Sequence, residues 1–219
     1  MNTEELIETI TLDLKPVRRL LPPIWRLAGW LMLSIPTAAL IVAMMGVRPD
    51  IGTKMADPLF LRQELASLAV ALVAAWAALV AGIPGEPRWK RWAPIVPVLL
   101  WISMLGRQCW SEWMHSGASG MEFRADWMCL PGIAMISAVP ALAMVVAIRR
   151  GARLHSFQAL LWGSLAAAAL ANAALRLFHM EDAALMVIVW QFGSVLLLTA
   201  ILTVFRNALI PARTARPYR

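Results

Sequence analysis

The chain has 219 residues, of which 60% are apolar and only 15% are charged, and its mean hydropathy is +0.67. That composition excludes an ordinary soluble domain and indicates an integral membrane protein. The formal net charge of +7 does not indicate binding to nucleic acid, because the basic residues are spread over several short segments.

The first 26 residues are too polar to enter a membrane, and we predict that they form a cytoplasmic segment. Asn2 can cap a helix, and Glu5 three residues later completes a capping-box start. Pro16 ends this helix at about Leu14, because the residue before a proline disfavours the helical conformation. The chain is therefore expected to begin with one short helix.

This N-terminal helix is predicted to be amphipathic, because its apolar residues fall within about 100° of arc. An acidic helix beside a negatively charged leaflet is not expected to lie on lipid, and residues 1–14 contain no basic side chain. Its expected partner is a basic cytoplasmic protein. The predicted partner-binding residues are Glu4, Glu5, Leu6, Ile7, Ile10, Asp13 and Leu14.

Six apolar blocks follow, with lengths near those needed to cross a hydrocarbon core of roughly 30 Å as helices. They run approximately over residues 27–46, 65–83, 89–105, 129–148, 157–177 and 183–205. The third block carries Pro94 and Pro97, which predicts a kinked or incomplete span. The predicted fold is all-α, a six-helix transmembrane bundle over 27–205, followed by a basic cytoplasmic tail over 206–219.

The distribution of basic residues predicts the orientation of these spans. Fourteen of the twenty Lys and Arg residues lie in the N-terminal segment, the second loop, the fourth loop and the C-terminal tail. An even number of spans places these four segments on one side of the membrane. By the positive-inside rule that side is the cytoplasm, so both termini are expected to be cytoplasmic.

The predicted spans contain few charged or strongly polar side chains. No Asp, Glu, Lys or Arg lies near the middle of a block, which disfavours an ion-coupled transporter. Asn172 and Gln191 are the most polar residues inside blocks, and we expect them to form hydrogen bonds between helices. Because the sequence contains no metalloprotease, redox-pair or phosphate-loop motif, we expect neither an enzyme nor a cofactor.

Most of the soft metal ligands outside the spans are expected on the outer side. Cys109 follows the third block, Cys129 begins the fourth, and both His115 and His179 lie on the same side. Four methionines accompany them: Met114, Met121, Met128 and Met180. These groups suit copper or zinc, but their spacing matches no known metal motif, so a transient soft-metal ion and simple packing both stay open. A disulfide between the two cysteines stays open as well.

Three stretches of the sequence are distinctive: TEELIETITLDLKPVRRLLPP, CLPGIAMISAVPALAMVVAIRRGA, and LAAAALANAALRLFHMED followed by VIVW. They resemble the NrsF family of membrane-bound anti-sigma factors. The resemblance implies a six-span protein of the bacterial inner membrane that sequesters an extracytoplasmic-function (ECF) sigma factor and releases it under metal or oxidant stress. The N-terminal helix would then be the arm that holds the sigma factor, which must expose basic surface to bind DNA.

The resemblance also implies two sensing cysteines, one at the start of the fourth span and one in the last outer loop. Cys129 matches the first position, whereas the second reads His-Met-Glu-Asp over residues 179–182. Three alternatives stay open: Cys109 supplies the partner, Met180 contributes a thioether, or the sensing has changed. The predicted sensing residues are Cys109, Cys129, His179 and Met180.

An alternative from a different class is a small membrane transporter or metal-handling protein, in which the N-terminal segment is only an anchor. A thiol oxidoreductase is a third hypothesis, but it requires a paired redox motif that the sequence lacks. The partner expected from the resemblance is an ECF sigma factor on the cytoplasmic side, with no direct contact between this chain and nucleic acid.

Overall fold

A computed structural model of the chain describes residues 2–12, 20–117, 129–152, 154–180 and 187–209, and the regular secondary structure of these ranges is helical. A π-helical turn over Val187–Phe192 directly precedes the helix that begins at Gly193. The prediction of an all-α fold is confirmed. The helices are α1 (Thr3–Leu12), α2 (Pro23–Met45), α3 (Ile51–Ala56), α4 (Pro58–Val80), α5 (Arg88–Trp92), α6 (Ile95–Ser116), α7 (Cys129–Arg149), α8 (Ser156–Leu175), α9 (Gly193–Val204) and α10 (Arg206–Leu209).

Within the described ranges, five helical segments are long and apolar enough to cross a membrane. They are Pro23–Met45, Pro58–Val80, Leu130–Arg149, Ser156–Leu175 and Val187–Val204. Each corresponds to one of the predicted blocks. The third block is not among them, so the predicted count of six spans is not confirmed.

The third block divides into two helices instead of forming one kinked span. A turn at Ala93 and Pro94 separates α5 from α6. Pro94 precedes the first residue of α6 and Pro97 lies in its first turn, where the N–H that proline lacks would have no helical partner. The predicted irregularity of the third block therefore takes the form of a break between α5 and α6, where these prolines begin a new helix rather than kink a continuous one.

Helix α4 begins earlier than its predicted block, which started at residue 65. Pro58 occupies its first position, and the Asp57 side chain accepts a hydrogen bond from the backbone N–H of Leu59 at 2.9 Å. This cap extends the helix toward the N-terminus of the chain. As a result α4 includes Gln63 and Glu64, which the sequence interpretation left in a loop.

Helix α8 forms the centre of the bundle and packs against α4, α7 and α9. Every residue from 162 to 175 is buried, and half of them are alanine. Small side chains let helix backbones approach closely, which favours packing between helices in lipid. Helices α7 and α8 are in close contact at Gly163 of α8, where an added Cβ would lie only 2.7 Å from Cγ of Met144 in α7.

The bundle has two ends, which we name by the position of the N-terminal segment. The tail face contains the start of α2, the end of α4, α5, and the loop between α7 and α8, where the Ala152 N–H donates to the Gly82 carbonyl oxygen at 3.2 Å. The far face contains the end of α2, the start of α4, the end of α6, the start of α7 and the end of α8. There the Arg48 N–H donates to the Leu177 carbonyl oxygen at 3.0 Å.

At the tail face the first turn of α2 is bonded to the ends of two other helices. The Arg26 guanidinium donates through Nη1 to the Leu79 carbonyl oxygen at 3.2 Å and through Nη2 to the Ala147 carbonyl oxygen at 2.7 Å. Carbonyls in the last turn of a helix have no partner within that helix, and they attract cations. Farther along α2, Trp30 Nε1 donates to the Pro140 carbonyl oxygen at 2.9 Å. The root of the N-terminal segment is therefore fixed to α4 and α7.

Candidate functional site

The N-terminal helix α1 is exposed at each of its described side chains. The described side chains of residues 2–12 are all classed as exposed, including Glu4 and Glu5. In the predicted apolar stripe, 40% of Leu6 and 56% of Ile7 is accessible. The helix thus presents apolar and acidic groups that no described part of the bundle covers.

The start of α1 agrees with the predicted capping box. Glu5 Oε2 accepts a hydrogen bond from the backbone N–H of Asn2 at 3.0 Å, which is the contribution that Glu makes in that motif. The remaining predicted partner-binding groups, the Ile10 side chain, Asp13 and Leu14, lie outside the described residues. Their predicted role stays a prediction.

A set of polar and charged side chains meets at the far face, and we call it the far-face network. It joins the loop after α2 to α4, α6 and α8. Burying such groups in an apolar bundle is costly unless they bond to one another. The far-face network comprises Arg48, Asp50, Phe60, Gln63, Glu64, Ser67, Gln108, Glu112, Asn172 and Arg176.

Arg176 lies at the centre of the far-face network and is only 2% exposed. Its Nη2 donates to Gln63 Oε1 at 3.1 Å, and its Nη1 lies 3.8 Å from Glu64 Oε2. The guanidinium carbon also lies 4.5 Å from the ring centroid of Phe60, close enough for a cation–π interaction. Arg176 therefore connects the end of α8 to three side chains of α4.

Arg48 holds the loop after α2 against the end of α8. It forms a two-point ion pair with Asp50, with Nε–Oδ1 at 2.6 Å and Nη2–Oδ2 at 2.9 Å, and its Nη1 donates to the His179 carbonyl oxygen at 3.1 Å. The hydrogen bond from Arg48 lowers the pKa of the Asp50 carboxyl below its ordinary value. The Arg48 guanidinium carbon is 5.9 Å from the Phe60 centroid, so this ring contacts both buried guanidinium groups of the network.

The far-face network also reaches α6. Gln63 Nε2 donates to Gln108 Oε1, and Gln108 Nε2 donates to Glu112 Oε1 at 2.8 Å. Cys109 is the next residue on this helix and is half-buried. A continuous set of contacts thus leads from the segment that contains His179 to the turn of α6 that contains Cys109.

Deeper in the bundle a serine joins α4 to α8. The Ser67 hydroxyl donates to the Ala169 carbonyl oxygen at 3.0 Å and accepts a long hydrogen bond from Asn172 Nδ2 at 3.5 Å. Asn172 therefore takes part in a hydrogen bond between helices, as predicted. The side chain of Gln191, for which the same role was predicted, lies outside the described residues.

The four predicted sensing residues have their backbones at the far face. Cys129 is the first residue of α7, but its side chain lies outside the described residues, so a disulfide with Cys109 stays a prediction. Among the described side chains, Cys109 has no disulfide partner. His179 is half-buried and Met180 is 64% exposed.

No metal-binding cluster occurs within the part of the chain that the structure describes, where no three His, Cys, Asp or Glu side chains are arranged to hold an ion. His115 instead bonds through Nδ1 to the Ser111 carbonyl oxygen of its own helix, at 2.7 Å. The predicted soft-metal combination included Cys129, whose side chain is not described. It therefore stays a prediction.

Sequence interpretation missed the far-face network, although a signal for it was present. Gln63 and Ser67 are separated by four residues, and so are Asn172 and Arg176. This spacing places two polar groups on one face of each helix. Glu64 and Arg176, at the edges of apolar blocks, resemble ordinary boundary charges, and only the packing of α4 against α8 shows that they meet.

Among the described residues five segments are apolar and long enough to span a bilayer, which is consistent with the class of helical membrane proteins. Within that class the chain matches the family described as NrsF, negative regulator of sigma F, over residues 10–210, and it belongs to this family. Membership implies a sigma factor as partner and regulation rather than catalysis as the role. Comparison with curated proteins and with solved structures gives no match.

Proposed function

We propose that this protein is an anti-sigma factor of the bacterial inner membrane that holds an ECF sigma factor at its cytoplasmic N-terminal segment and releases it under periplasmic oxidant or metal stress. The observation that carries the proposal is the exposed amphipathic helix α1. Family membership supports a sigma factor as its partner.

The charge of α1 is complementary to such a partner. A sigma factor must present basic surface to the phosphates of promoter DNA, and an acidic helix can occupy that surface. Glu4, Glu5 and Asp13 supply the negative charge. Binding of α1 would then block the surface that DNA requires.

The apolar stripe of α1 supplies the affinity that charge alone does not. An amphipathic helix commonly binds a partner by placing its apolar face in a groove. Leu6 and Ile7 are accessible for this purpose, and each buried side chain of this size contributes roughly 1.5–3 kcal/mol. Ile10 and Leu14 extend the same predicted stripe.

We further propose that α6 is the sixth span, which would return both termini to the cytoplasm. Its 22 residues give a length of about 33 Å, enough for a hydrocarbon core. Its polar Gln108 bonds to α4, while Val96 and Leu99 are exposed as lipid-facing residues would be. Reporter fusions at residues 1 and 118 should report opposite sides of the membrane, and finding them on the same side would contradict the six-span arrangement.

Sensing is proposed to occur at the far face, through Cys129 and with Cys109, His179 and Met180 as its candidate partners. Their backbones lie beside the far-face network, which joins four segments of the chain. Switching from 99% bound to 99% free requires about 5.5 kcal/mol, whereas a disulfide typically supplies about 2–4 kcal/mol. Oxidation alone should therefore give partial release, and a soft metal that prefers the released state would add to it.

Purification from the native membrane tests the proposed partner. The wild-type protein should carry an ECF sigma factor, and the variant with Leu6→Asp and Ile7→Asp should lose it, because two apolar anchors are removed. The control is Leu12→Asp, which introduces one negative charge, against two in the double variant, on the opposite side of α1 at a residue that is 81% exposed.

The control variant is expected to retain the sigma factor. Loss of the partner from both variants would indicate a general effect of added negative charge, and retention by both would show that α1 is not the binding element. If the wild-type protein carries no sigma factor, the hypothesis of a small transporter or metal-handling protein gains support.

A further inference from the structure

Arg91, in the short helix α5, is a buried guanidinium with unsatisfied donors. The residue is only 8% exposed, yet neither Nε nor Nη1 has a hydrogen-bond partner among the described residues. An arginine side chain remains charged in proteins, so burial cannot neutralise it. A buried charge without a partner is costly, which indicates that a counter-charge belongs at this position.

The described neighbours on the chain do not provide that counter-charge. Arg88 and Lys90 in the same helix are cations. The nearest acid in the sequence is Glu86, and its Oε2 already pairs with Lys90 Nζ at 2.6 Å. The segment therefore keeps a local excess of positive charge around Arg91.

A second unsatisfied donor lies beside α5. Trp162 of α8 is buried, and its Nε1 has no hydrogen-bond partner among the described residues. Its ring packs edge-on against Trp92, with centroids 6.1 Å apart. Two different elements thus bring N–H donors without acceptors to the same region of the tail face.

The position of α5 relative to the membrane limits what the acceptor can be. The helix follows the end of α4, a candidate span, so it lies where a bilayer surface would be. Trp89 and Trp92 are 64% and 47% exposed, as tryptophans at the headgroup level commonly are. Trp89 also packs on Trp76 of α4, with centroids 6.4 Å apart, which holds α5 against the span.

We propose that Arg91 binds the phosphate of an anionic phospholipid at the tail face. A guanidinium matches the geometry of a phosphate with paired donors and carries the opposite charge. The accessible part of Arg91 allows first contact, and binding requires the side chain to turn its Nε and Nη1 edge toward the phosphate. The proposal does not depend on the sigma factor or on which side of the membrane the tail face occupies.

Lipid retention by the purified full-length protein tests the site. Protein extracted in neutral detergent is exposed to mixed micelles of phosphatidylglycerol and phosphatidylcholine, and the bound lipid is identified by native mass spectrometry. Wild-type protein should select phosphatidylglycerol, and Arg91→Met should reduce that selection by about tenfold or more, as loss of a charge-assisted contact predicts. Arg88→Met is the matched control, because it removes an exposed cation from the same helix.

Thermal unfolding separates a binding site from a structural role. In lipid-free neutral detergent Arg91→Met should be as stable as wild type or more stable, because it removes an uncompensated buried charge. Phosphatidylglycerol should raise the Tm of wild type and of Arg88→Met but not of Arg91→Met. Equal stabilisation of wild type by inorganic phosphate would assign the site to free phosphate and overturn the lipid as its ligand.

Two other results would overturn the proposal. Arg91→Met could retain phosphatidylglycerol as well as wild type does, or both variants could lose it equally, which would indicate a diffuse charge effect. A marked loss of stability of Arg91→Met in lipid-free detergent would also contradict it, since the guanidinium would then have a partner within the protein.

Discussion

Arg176→Met should destabilise the bundle by about 3–5 kcal/mol, because it leaves the Glu64 carboxylate buried without its charge partner. The side chains of Arg176 and Glu64 are only 2% and 8% exposed, so solvent screens little of the loss. Their separation of 3.8 Å is long for an ion pair. Most of the expected cost therefore comes from the orphaned carboxylate rather than from the lost attraction.

A second substitution separates these two contributions. Glu64→Gln removes the orphaned charge, so the double variant is spared that cost and loses the contacts of Arg176 itself, of which the hydrogen bond to Gln63 and the contact with Phe60 account for about 1–3 kcal/mol. The double variant should thus be more stable than Arg176→Met alone. A more exposed pair provides the control: Glu86→Gln breaks the bond to Lys90 and should cost only about 0–1 kcal/mol.

Equilibrium unfolding in mixed detergent micelles, followed by circular dichroism, measures all four variants. Additive losses in the double variant would refute the reasoning, because they would show that Glu64 does not depend on Arg176. A loss from Arg176→Met no larger than that from Glu86→Gln would refute it as well, since the buried and the exposed pair would then be equivalent.

The lowered pKa of Asp50 makes its ion pair fully stabilising above the ordinary aspartate pKa, and this contribution is lost as pH falls through the folded value. The protection factors for hydrogen exchange in the loop after α2, which are corrected for the intrinsic pH dependence of exchange, should therefore fall in acid, and Asp50→Asn should abolish this fall. Gly163→Ala should cost about 1–3 kcal/mol by crowding Met144, whereas Gly106→Ala, with open space around it, should be neutral or stabilising in thermal unfolding. In a reporter assay of sigma activity, Cys129→Ser should weaken the response to oxidant and cadmium; a normal response would place the sensor elsewhere.

The sequence was sufficient to predict the helical class and the five long apolar helices found among the described residues, because long apolar blocks have few alternatives to a helix. It failed where a helix continued beyond its apolar block. The Asp57 cap extended α4 past the predicted boundary, and α6 continued to Ser116, beyond the predicted end of the third block at residue 105. Hydropathy predicts which residues can be buried in lipid. The ends of α4 and α6 depend instead on backbone hydrogen bonding and on proline geometry, which hydropathy does not measure.

The N-terminal helix and the far-face network also differ in how well the sequence predicts them. Charge and periodicity of residues 1–14 are local properties, so the sequence alone was enough to predict a helix there; a helix lies over Thr3–Leu12, whereas its role as an amphipathic cytoplasmic element stays a prediction. The far-face network depends on contacts between distant parts of the chain, such as Gln63 with Gln108 and Arg48 with His179. The spacing of residues within one helix cannot predict these contacts, because they form only when α4, α6 and α8 pack together.

Helix α4 extends as one stiff element from Glu64 at the far face to Leu79 at the tail face, a distance of about 22 Å along its axis. Neither glycine nor proline interrupts this stretch. The helix is therefore stiff, and an axial displacement of one end moves the other end by nearly the same distance. The Arg26 hydrogen bond to Leu79 is already 3.2 Å long, and a shift of roughly 0.5 Å carries it beyond hydrogen-bond range. The shorter bond to Ala147, at 2.7 Å, would remain and act as a pivot. One of the two hydrogen bonds that hold the first turn of α2 thus depends on the axial position of α4 to within about 0.5 Å.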